Sequence, residues 1–211
     1  KRKKETIFLK DYIQGFEKWR YYFGVDMQGG IISQTLSSSK NNSLWVYWKS
    51  WSGKSNATSW LFYSLYALNK NAYTFFILDT KGEFSFAKWL DDVQYAYDLE
   101  EILRVIDEVI LRMETIQARL HTLGMHNLEE YLKKVSPSDR IITMRPMVFF
   151  IEELSYLLDR IALKYWAEIR EEYANRIANL VCLGRSAGLT MIISTQKPLA
   201  DMIGGSIVKE M

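Results

Sequence analysis

The chain lacks the features that would place it in an oxidising compartment or in a bilayer. Its 211 residues include one cysteine, Cys182, which excludes an internal disulfide and is typical of a reducing compartment. It contains no apolar run of about 18 residues or more and no signal-peptide pattern. We therefore expect a soluble cytoplasmic domain, and a membrane anchor, if the protein has one, would lie outside these residues.

Strong charge of either sign is also lacking. The 27 basic and 25 acidic residues leave a net charge of +2, so any nucleic-acid surface would have to be local. Prolines are few, at three, and 48% of the residues are hydrophobic. What the chain does have is aromatic residues, 14% of the total, including seven tryptophans. At this length one sizeable domain is expected, burying about 70% of its unfolded surface.

Short, continuously apolar runs alternate with longer amphipathic stretches. The runs predict buried strands at residues 44–47, 73–78, 147–151 and 190–194. Helices are predicted at residues 54–69, 99–120, 128–132 and 166–187. This alternation predicts an α/β fold with a mostly parallel sheet flanked by helices.

The N-terminal region precedes this pattern. The spacing of its aromatic residues predicts a short amphipathic helix within residues 1–22, which opens on the basic cluster KRKK. A solvated terminus is the simpler interpretation of that cluster. Residues 23–32 are rich in turn formers and predict a small hairpin.

Residues 48–55, WKSWSGKS, stand between a predicted strand and a predicted helix. The triplet Gly53-Lys54-Ser55 is typical of a phosphate-binding P-loop, which occupies this strand-to-helix position. Backbone N–H groups at the helix N-terminus would face an anion, Lys54 would add a cation, and Ser55 could bind Mg²⁺. A solvated turn is the alternative, because this triplet is also frequent by chance.

Two tryptophans separate this loop from the usual P-loop pattern. Trp48 stands where the first glycine belongs, and Trp51 occupies a second position that is often glycine. A residue other than glycine in a strained conformation costs roughly 1–3 kcal/mol, and an indole also needs space. Either the loop has an atypical shape, or nucleotide binding is impaired.

Polar residues follow the other predicted strands. Glu152 and Glu153 end the third strand, where the first would support a metal and the second would orient or activate water. Capping of the next helix is the alternative role for these two acids. Gln196 follows the fourth strand and is a candidate γ-phosphate sensor or a simple polar terminus. Because carboxyl ends of parallel strands share one edge, we expect these side chains to converge with Asp79 and Lys81.

Together these segments resemble the FtsK/SpoIIIE family of DNA-pumping ATPases over nearly the whole chain. FFIEEL at residues 149–154 is similar to the family's VVVDEL, with Glu152 in place of aspartate. The other matching segments are residues 24–29 (GVDMQG), 77–81 (ILDTK), 112–131, 184–188 (GRSAG) and 194–198 (STQKP).

The resemblance implies a RecA-like P-loop motor core that uses ATP and Mg²⁺ and forms a homo-hexameric ring around double-stranded DNA. It divides the chain into a basic helix and lead-in, residues 1–30, and a motor core, residues 31–211, that stops short of the family's full length. Glu153, Lys54 and Gln196 become the catalytic residues, and Ser55 and Glu152 the metal ligands. The nucleotide-binding residues it implies are Trp51, Ser52, Gly53, Lys54, Ser55 and Asn56.

Two functions are compatible with this pattern. The first is an ATP-dependent double-stranded DNA translocase in chromosome segregation or conjugative DNA transfer. The second is a degenerate domain with a structural or partner-docking role in a transfer or type VII secretion system. Trp48 and Trp51 favour the second. The first is favoured by the retained residues Lys54, Ser55, Glu153 and Gln196.

Overall fold

The computed structural model describes residues 20–25, 28, 30–35, 43–47 and 54–196, and it describes residues 21, 24, 25, 34, 35 and 54–56 by their backbone alone. The strands are β1 (Arg20–Val25), β2 (Ile31–Thr35), β3 (Ser43–Tyr47), β4 (Thr74–Asp79), β5 (Val93–Ala96), β6 (Met147–Glu152) and β7 (Leu189–Thr195). The helices are α1 (Lys54–Asn69), α2 (Leu99–Thr122), α3 (Leu128–Lys134), α4 (Leu154–Tyr165) and α5 (Ala167–Leu183). Short 3-10 helices cover Ser85–Trp89 and Pro137–Asp139.

Five strands form one parallel sheet in the order β3-β7-β6-β4-β5. All residues of β6 and β7 are buried, which explains why both were predicted from continuous apolar runs. The edge strand β5 was not predicted, because its sequence VQYA mixes exposed and buried positions over only four residues. The predicted α/β class is confirmed.

Alternate residues of the strands face two separate helical layers. Phe75 and Ile77 of β4 belong to a core with α1, whereas Phe76 and Leu78 belong to the core formed with the later helices. The long helix α2 presents an apolar stripe to that second core, and its buried residues recur every three or four positions. The sheet is therefore covered on both faces, and its two ends remain for binding.

The predicted hairpin is confirmed. Strands β1 and β2 pair antiparallel, Arg20 Nε donates to Ser33 Oγ at 3.1 Å, and β1 contacts α1. The predicted N-terminal helix is wrong over residues 20–22, because the run of aromatics from Tyr21 to Phe23 favours a strand. The remainder of that prediction lies outside the described residues.

One helix was not predicted, and it directly precedes a helix that was. Sequence periodicity predicted a helix from residue 166, but α4 precedes it, and α4 and α5 meet at Trp166. Trp166 has φ 105° and ψ 164°, a conformation that breaks the helix there. The helix α5 ends at Leu183 rather than residue 187, since the turn before β7 passes through Gly188 at φ 72°. No helix in the described ranges is long and apolar enough to cross a membrane.

Candidate functional site

The end of β6 carries two buried acids in sequence. Glu152 closes the strand and Glu153 precedes α4, and their exposed fractions are 0% and 1%. Ionised carboxylates are rarely buried in this way unless other groups bind them. Their surroundings therefore decide what this edge of the sheet can do.

Glu153 is in a left-handed backbone conformation, with φ 54° and ψ 69°. A residue other than glycine held there is strained by roughly 1–3 kcal/mol, and such strain is concentrated at functional sites. Although Glu153 occupies the N-cap position of α4, its side chain makes no capping hydrogen bond to the helix. The capping role considered from sequence is therefore not the one its side chain performs.

Three separate segments hold the Glu153 carboxylate. Its Oε1 accepts hydrogen bonds from Ser155 Oγ at 2.7 Å and from the backbone N–H of Gln196 at 2.8 Å. Its Oε2 lies 3.4 Å from the ammonium group of Lys81. The backbone N–H of Glu153 donates to Ser194 Oγ at 3.1 Å, which ties the turn to β7.

Glu152 has a different set of contacts. The hydroxyl of Thr80 lies 3.0 Å from its Oε2 and 2.8 Å from its main-chain oxygen. Arg160 of α4 reaches the same loop, because its Nη1 donates to the carbonyl of Thr80 at 3.4 Å. The Glu152 carboxylate is thus positioned by the residue that follows β4.

Asp79 lies beside Glu152 in the register of β4 and β6, as expected, but its carboxylate turns into its own loop. Its Oδ1 accepts from the N–H groups of Gly82 at 2.8 Å and Glu83 at 3.0 Å. Its Oδ2 accepts from the N–H of Phe84 and from the hydroxyl of Tyr95, both at 2.8 Å. Asp79 therefore shapes the loop, and the expectation that its carboxylate joins the Glu152–Glu153 cluster is wrong.

The loop after β4 affects the pKa of Tyr95 and the position of Lys81. Burial and the hydrogen bond to Asp79 raise the pKa of the Tyr95 phenol well above its usual range. The folded loop also carries Lys81 across to β6, where its ammonium group lies near Glu153 and 5.7 Å from the centre of the Tyr156 ring. Lys81 joins the two acids as the sequence predicts.

The strand that precedes the predicted phosphate loop ends at the same edge of the sheet. Strand β3 ends at Tyr47 beside Thr195 of β7, and α1 begins at Lys54. Trp51, Ser52 and Gly53 lie outside the described residues, as does Trp48. A helix N-terminus at this position concentrates partial positive charge, which suits an anion.

The remaining predicted residues are only partly located. Lys54, Ser55 and Asn56 form the start of α1, and nothing is described of their side chains. Gln196 follows β7 as an exposed residue, and its backbone N–H donates to Glu153. The sensor role of its amide stays a prediction.

The donor set at this edge suits Mg²⁺ bound together with a nucleotide. The described ranges contain no group of three or more histidine, cysteine or acidic side chains that could hold a metal alone. Mg²⁺ commonly uses one or two carboxylates, with phosphate oxygens and water completing its six ligands. Glu152, with phosphate oxygens and water, fits that requirement without a pre-formed metal cage.

Three small hydroxyl residues of the site were not predicted. Thr80 contacts Glu152, Ser155 donates to Glu153, and Ser194 accepts from the backbone N–H of Glu153. Each lies within two positions of a predicted site residue in the sequence. The sequence shows that these residues are near the predicted site residues. It does not show their hydrogen bonds, which depend on how neighbouring strands align.

Comparison with known proteins gives similarity of structure alone. No protein-family model and no curated protein matches the sequence. The conjugation coupling protein TcpA of pCW3, in its monomer form with ATPγS, aligns with a TM-score of 0.72 and 21% identity over 95% of this chain. The cytoplasmic domain of the type VII secretion ATPase EccC from Thermomonospora curvata aligns at 0.69 and 19% identity over 92% of this chain.

A second EccC structure, ATPases 2 and 3 in complex with a signal sequence peptide, aligns at 0.71 and 18% identity over 89% of this chain. The chain spans 54% of the TcpA chain and 23% and 35% of the two EccC chains. At these identities the likeness establishes the architecture. The chain has a parallel sheet with acids at the end of β6 and a helix that starts after β3. It thus has the fold of the FtsK/SpoIIIE-type ATPases, the family whose motifs its sequence resembles.

Proposed function

We propose that the chain is the P-loop ATPase motor domain of a double-stranded DNA translocase, acting in conjugative DNA transfer or chromosome segregation. The observation that carries this proposal is the pair Glu152 and Glu153, which are buried at the end of β6 and bound by the residues that follow β4 and β7 and by α4. This is the edge at which parallel α/β sheets bind ligands.

In this proposal the start of α1 binds the phosphates of ATP. Lys54 contributes a cation to the β- and γ-phosphates, and Ser55 and Glu152 bind Mg²⁺. The backbone of residues 51–56 surrounds the phosphates, as in other P-loops. Bound Mg²⁺ would supply charge neutralisation for phosphoryl transfer to water.

Glu153 acts on the water in this proposal. Ser155 Oγ and the N–H of Gln196 orient its Oε1, and Lys81 lies on the Oε2 side. A carboxylate held in one orientation can align a water molecule and accept its proton. Gln196 lies at the end of β7, so its amide is our candidate for contacting the γ-phosphate.

The similar structures support the class of function. TcpA is a conjugation coupling protein whose structure contains ATPγS, and EccC is a secretion ATPase. The chain has the fold of both, so we assign it to an ATP-driven transfer system. Residues 31–211 would form the motor core, residues 1–30 its lead-in, and several copies, six in a hexamer, would surround DNA in the cytoplasm.

Tryptophan fluorescence provides the first test. Trp48 and Trp51 flank the proposed phosphate site, so Mg-ATPγS should change the emission of the wild-type chain in a saturable manner. The Lys54→Ala variant should show no saturable change, because the cation facing the phosphates is absent. An unchanged wild-type spectrum with millimolar Mg-ATPγS would contradict the proposal. Hydrolysis should then be measured with and without duplex DNA.

A degenerate domain with a structural or partner-docking role is the second candidate, and Trp48 and Trp51 favour it. If the indoles obstruct the loop, Trp48→Gly with Trp51→Gly should tighten nucleotide binding, measured by calorimetry because the variant lacks both reporters. A wild-type chain that fails to bind ATPγS, beside a double variant that binds it, would identify the degenerate domain. Equal or weaker binding by the double variant would show that the indoles are not the obstacle.

A further inference from the structure

The joint between α4 and α5 exposes large apolar side chains. Leu163 is 89% exposed and Trp166 is 79% exposed, and exposed apolar side chains that lie close together, unlike scattered ones, mark interaction surfaces. Glu168 and Glu171 follow on one side of α5, and both are exposed. We call these four residues the elbow. The nearby cation Lys164 is already paired with Glu100.

The backbone at Trp166 is held in an unfavourable conformation. Its φ of 105° and ψ of 164° belong to a region that is essentially restricted to glycine. A glycine at this position would make the same turn without strain. A strained backbone position that keeps a large side chain in place of glycine is a candidate functional position.

A cleft of about 640 Å³ lies at the opposite end of the sheet, beside the starts of β4 and β5. Its lining includes Leu111, which is 63% exposed, and Ile142, which is 75% exposed. It also includes three arginines and one acid, namely Arg112, Arg119, Arg145 and Asp92. We call it the arginine cleft.

Two of these arginines are not neutralised by a carboxylate in the described part of the chain. Arg112 pairs with Glu108 at 2.9 Å, whereas Arg119 donates to the neutral hydroxyl of Thr143 at 2.8 Å. Arg145 is exposed and makes no ion pair among the described residues. Guanidinium groups are strong binders of carboxylates, which they can contact with two parallel hydrogen bonds.

We propose that the elbow of one copy of this chain docks into the arginine cleft of a second copy. Leu163 and Trp166 would cover Leu111 and Ile142, and Glu168 and Glu171 would face the arginines. The two surfaces match in both apolar character and charge. Tryptophan and arginine are also the residue types that dominate binding energy at protein interfaces.

The elbow cannot fill the cleft of its own chain. Lys164 pairs with Glu100 in the first turn of α2, whereas the cleft involves residues 111–119 of the same helix. At 1.5 Å per residue these places are about 22 Å apart along α2. The contact is therefore between copies and joins two different surfaces, which produces a ring when it closes and a filament otherwise.

Duplex DNA is a less suitable occupant of the cleft. Its phosphates would satisfy the arginines but would leave Leu111 and Ile142 uncovered. The one aromatic residue that lines the cleft, Tyr73, is 4% exposed and offers no surface for base stacking. A protein surface with acidic and apolar groups fits better, and the elbow has both.

Sedimentation velocity of the full 211-residue chain over a range of concentrations tests the contact. It is done without nucleotide or DNA, so its failure would leave the ATP-binding tests unaffected. The wild-type chain should associate as its concentration rises. An elbow variant, Leu163→Ser with Trp166→Gly, and a cleft variant, Arg119→Glu with Arg145→Glu, should each associate at least about tenfold more weakly. Arg104→Glu changes an exposed arginine of α2 outside the cleft and should behave as the wild type.

Mixing the two variants gives the sharper result. The elbow variant keeps its cleft and the cleft variant keeps its elbow, so an equal mixture should form one-to-one dimers and nothing larger. A wild-type chain that stays monomeric at every concentration would overturn the proposal, as would a mixture without dimers. Arg145→Glu alone is the variant to use if the double change lowers the melting temperature.

Labelled duplex DNA and a labelled peptide of alternating glutamate and leucine identify other occupants. If the wild-type chain stays monomeric but binds one of these probes, and the cleft variant does not, the cleft serves a different partner. That result would also overturn the assignment to a second copy. If the copies associate as proposed, both probes should compete only weakly with the elbow.

Discussion

The ends of β4 and β6 lie side by side and both lead into an acidic side chain, but the two carboxylates bind different parts of the molecule. Asp79 accepts four hydrogen bonds, three from N–H groups of its own loop and one from Tyr95. Glu153 is instead bound by α4, by the residue after β7 and by the loop after β4. One carboxylate shapes a loop, and the other sits where three segments meet.

This difference teaches that an acid at a strand end is not by itself a binding site. The carboxylate of Asp79 is satisfied locally, so its role is structural. The position of Glu153 depends on segments that a ligand at this edge would contact, and its backbone is strained. Stability should therefore respond mainly to Asp79, and catalysis mainly to Glu153.

The largest expected effect is on stability. Asp79→Ala leaves three N–H groups and a phenol without their acceptor, and the free energy of unfolding should fall by about 3–5 kcal/mol. Denaturant unfolding measures this change. Asp91→Ala, which alters an exposed acid in a nearby loop, should change it by about 0.5 kcal/mol or less. A similar small loss for Asp79→Ala would remove the contrast between the two strand ends.

The next effect is on catalysis. Glu153→Gln keeps an oxygen that can accept from Ser155 and Gln196 but cannot take a proton, so ATP hydrolysis should fall about 100-fold or more. The free energy of unfolding should change by only about 1 kcal/mol. Hydrolysis is measured with duplex DNA present, and the control is Glu114→Gln, a change at an exposed position of α2. Undiminished hydrolysis in Glu153→Gln would refute the catalytic assignment.

The smallest effect concerns Tyr95 and depends on pH. Tyr95→Phe removes one hydrogen bond to Asp79 and should lower the free energy of unfolding by about 1 kcal/mol. Burial and that bond raise the phenol's pKa, so the unfolded chain ionises first as pH rises. The stability that Tyr95 adds relative to phenylalanine is therefore fully present below pH 10.0, the ordinary pKa of the phenol, and is lost as the pH rises above it.

Denaturant unfolding of the wild-type chain and of Tyr95→Phe, at neutral pH and above pH 10, measures this loss of stability. The pH is kept within the range in which both proteins remain folded. Tyr97→Phe, a change at a partly exposed neighbour, serves as the matched substitution. A stability difference between tyrosine and phenylalanine that is independent of pH would show that the bond to Asp79 does not hold the phenol protonated.

Much of the fold was predictable, because four of the five sheet strands are continuous apolar runs. The strand β5 is a short edge strand and produced no clear pattern. The helix α4 was missed although Leu154, Leu157, Leu158 and Ile161 recur at helical spacing directly after the site residues. The placement of Glu152 and Glu153 at a strand end followed from their sequence. The turning of Asp79 into its loop did not, because it depends on the backbone conformation of residues 82–84 and on Tyr95, sixteen residues further along.

The local contacts of the site were also beyond sequence reasoning. Thr80 reaches Glu152 only because β4 and β6 are neighbours in register, and the sequence does not state which strands pair. The residues next to Glu153 in the sequence do not predict its left-handed backbone conformation either. Order along the chain predicts which residues share an edge, whereas hydrogen bonding decides which of them remain for chemistry.

Calorimetric titration with Mg-ATPγS tests the central claim most directly, namely that the end of β6 and the start of α1 form a nucleotide site. The wild-type chain and Glu153→Gln should bind with one site per chain and similar affinity, and Lys54→Ala should show no saturable heat. Absence of binding to the wild-type chain at millimolar nucleotide, or binding that Lys54→Ala leaves unchanged, would contradict the account.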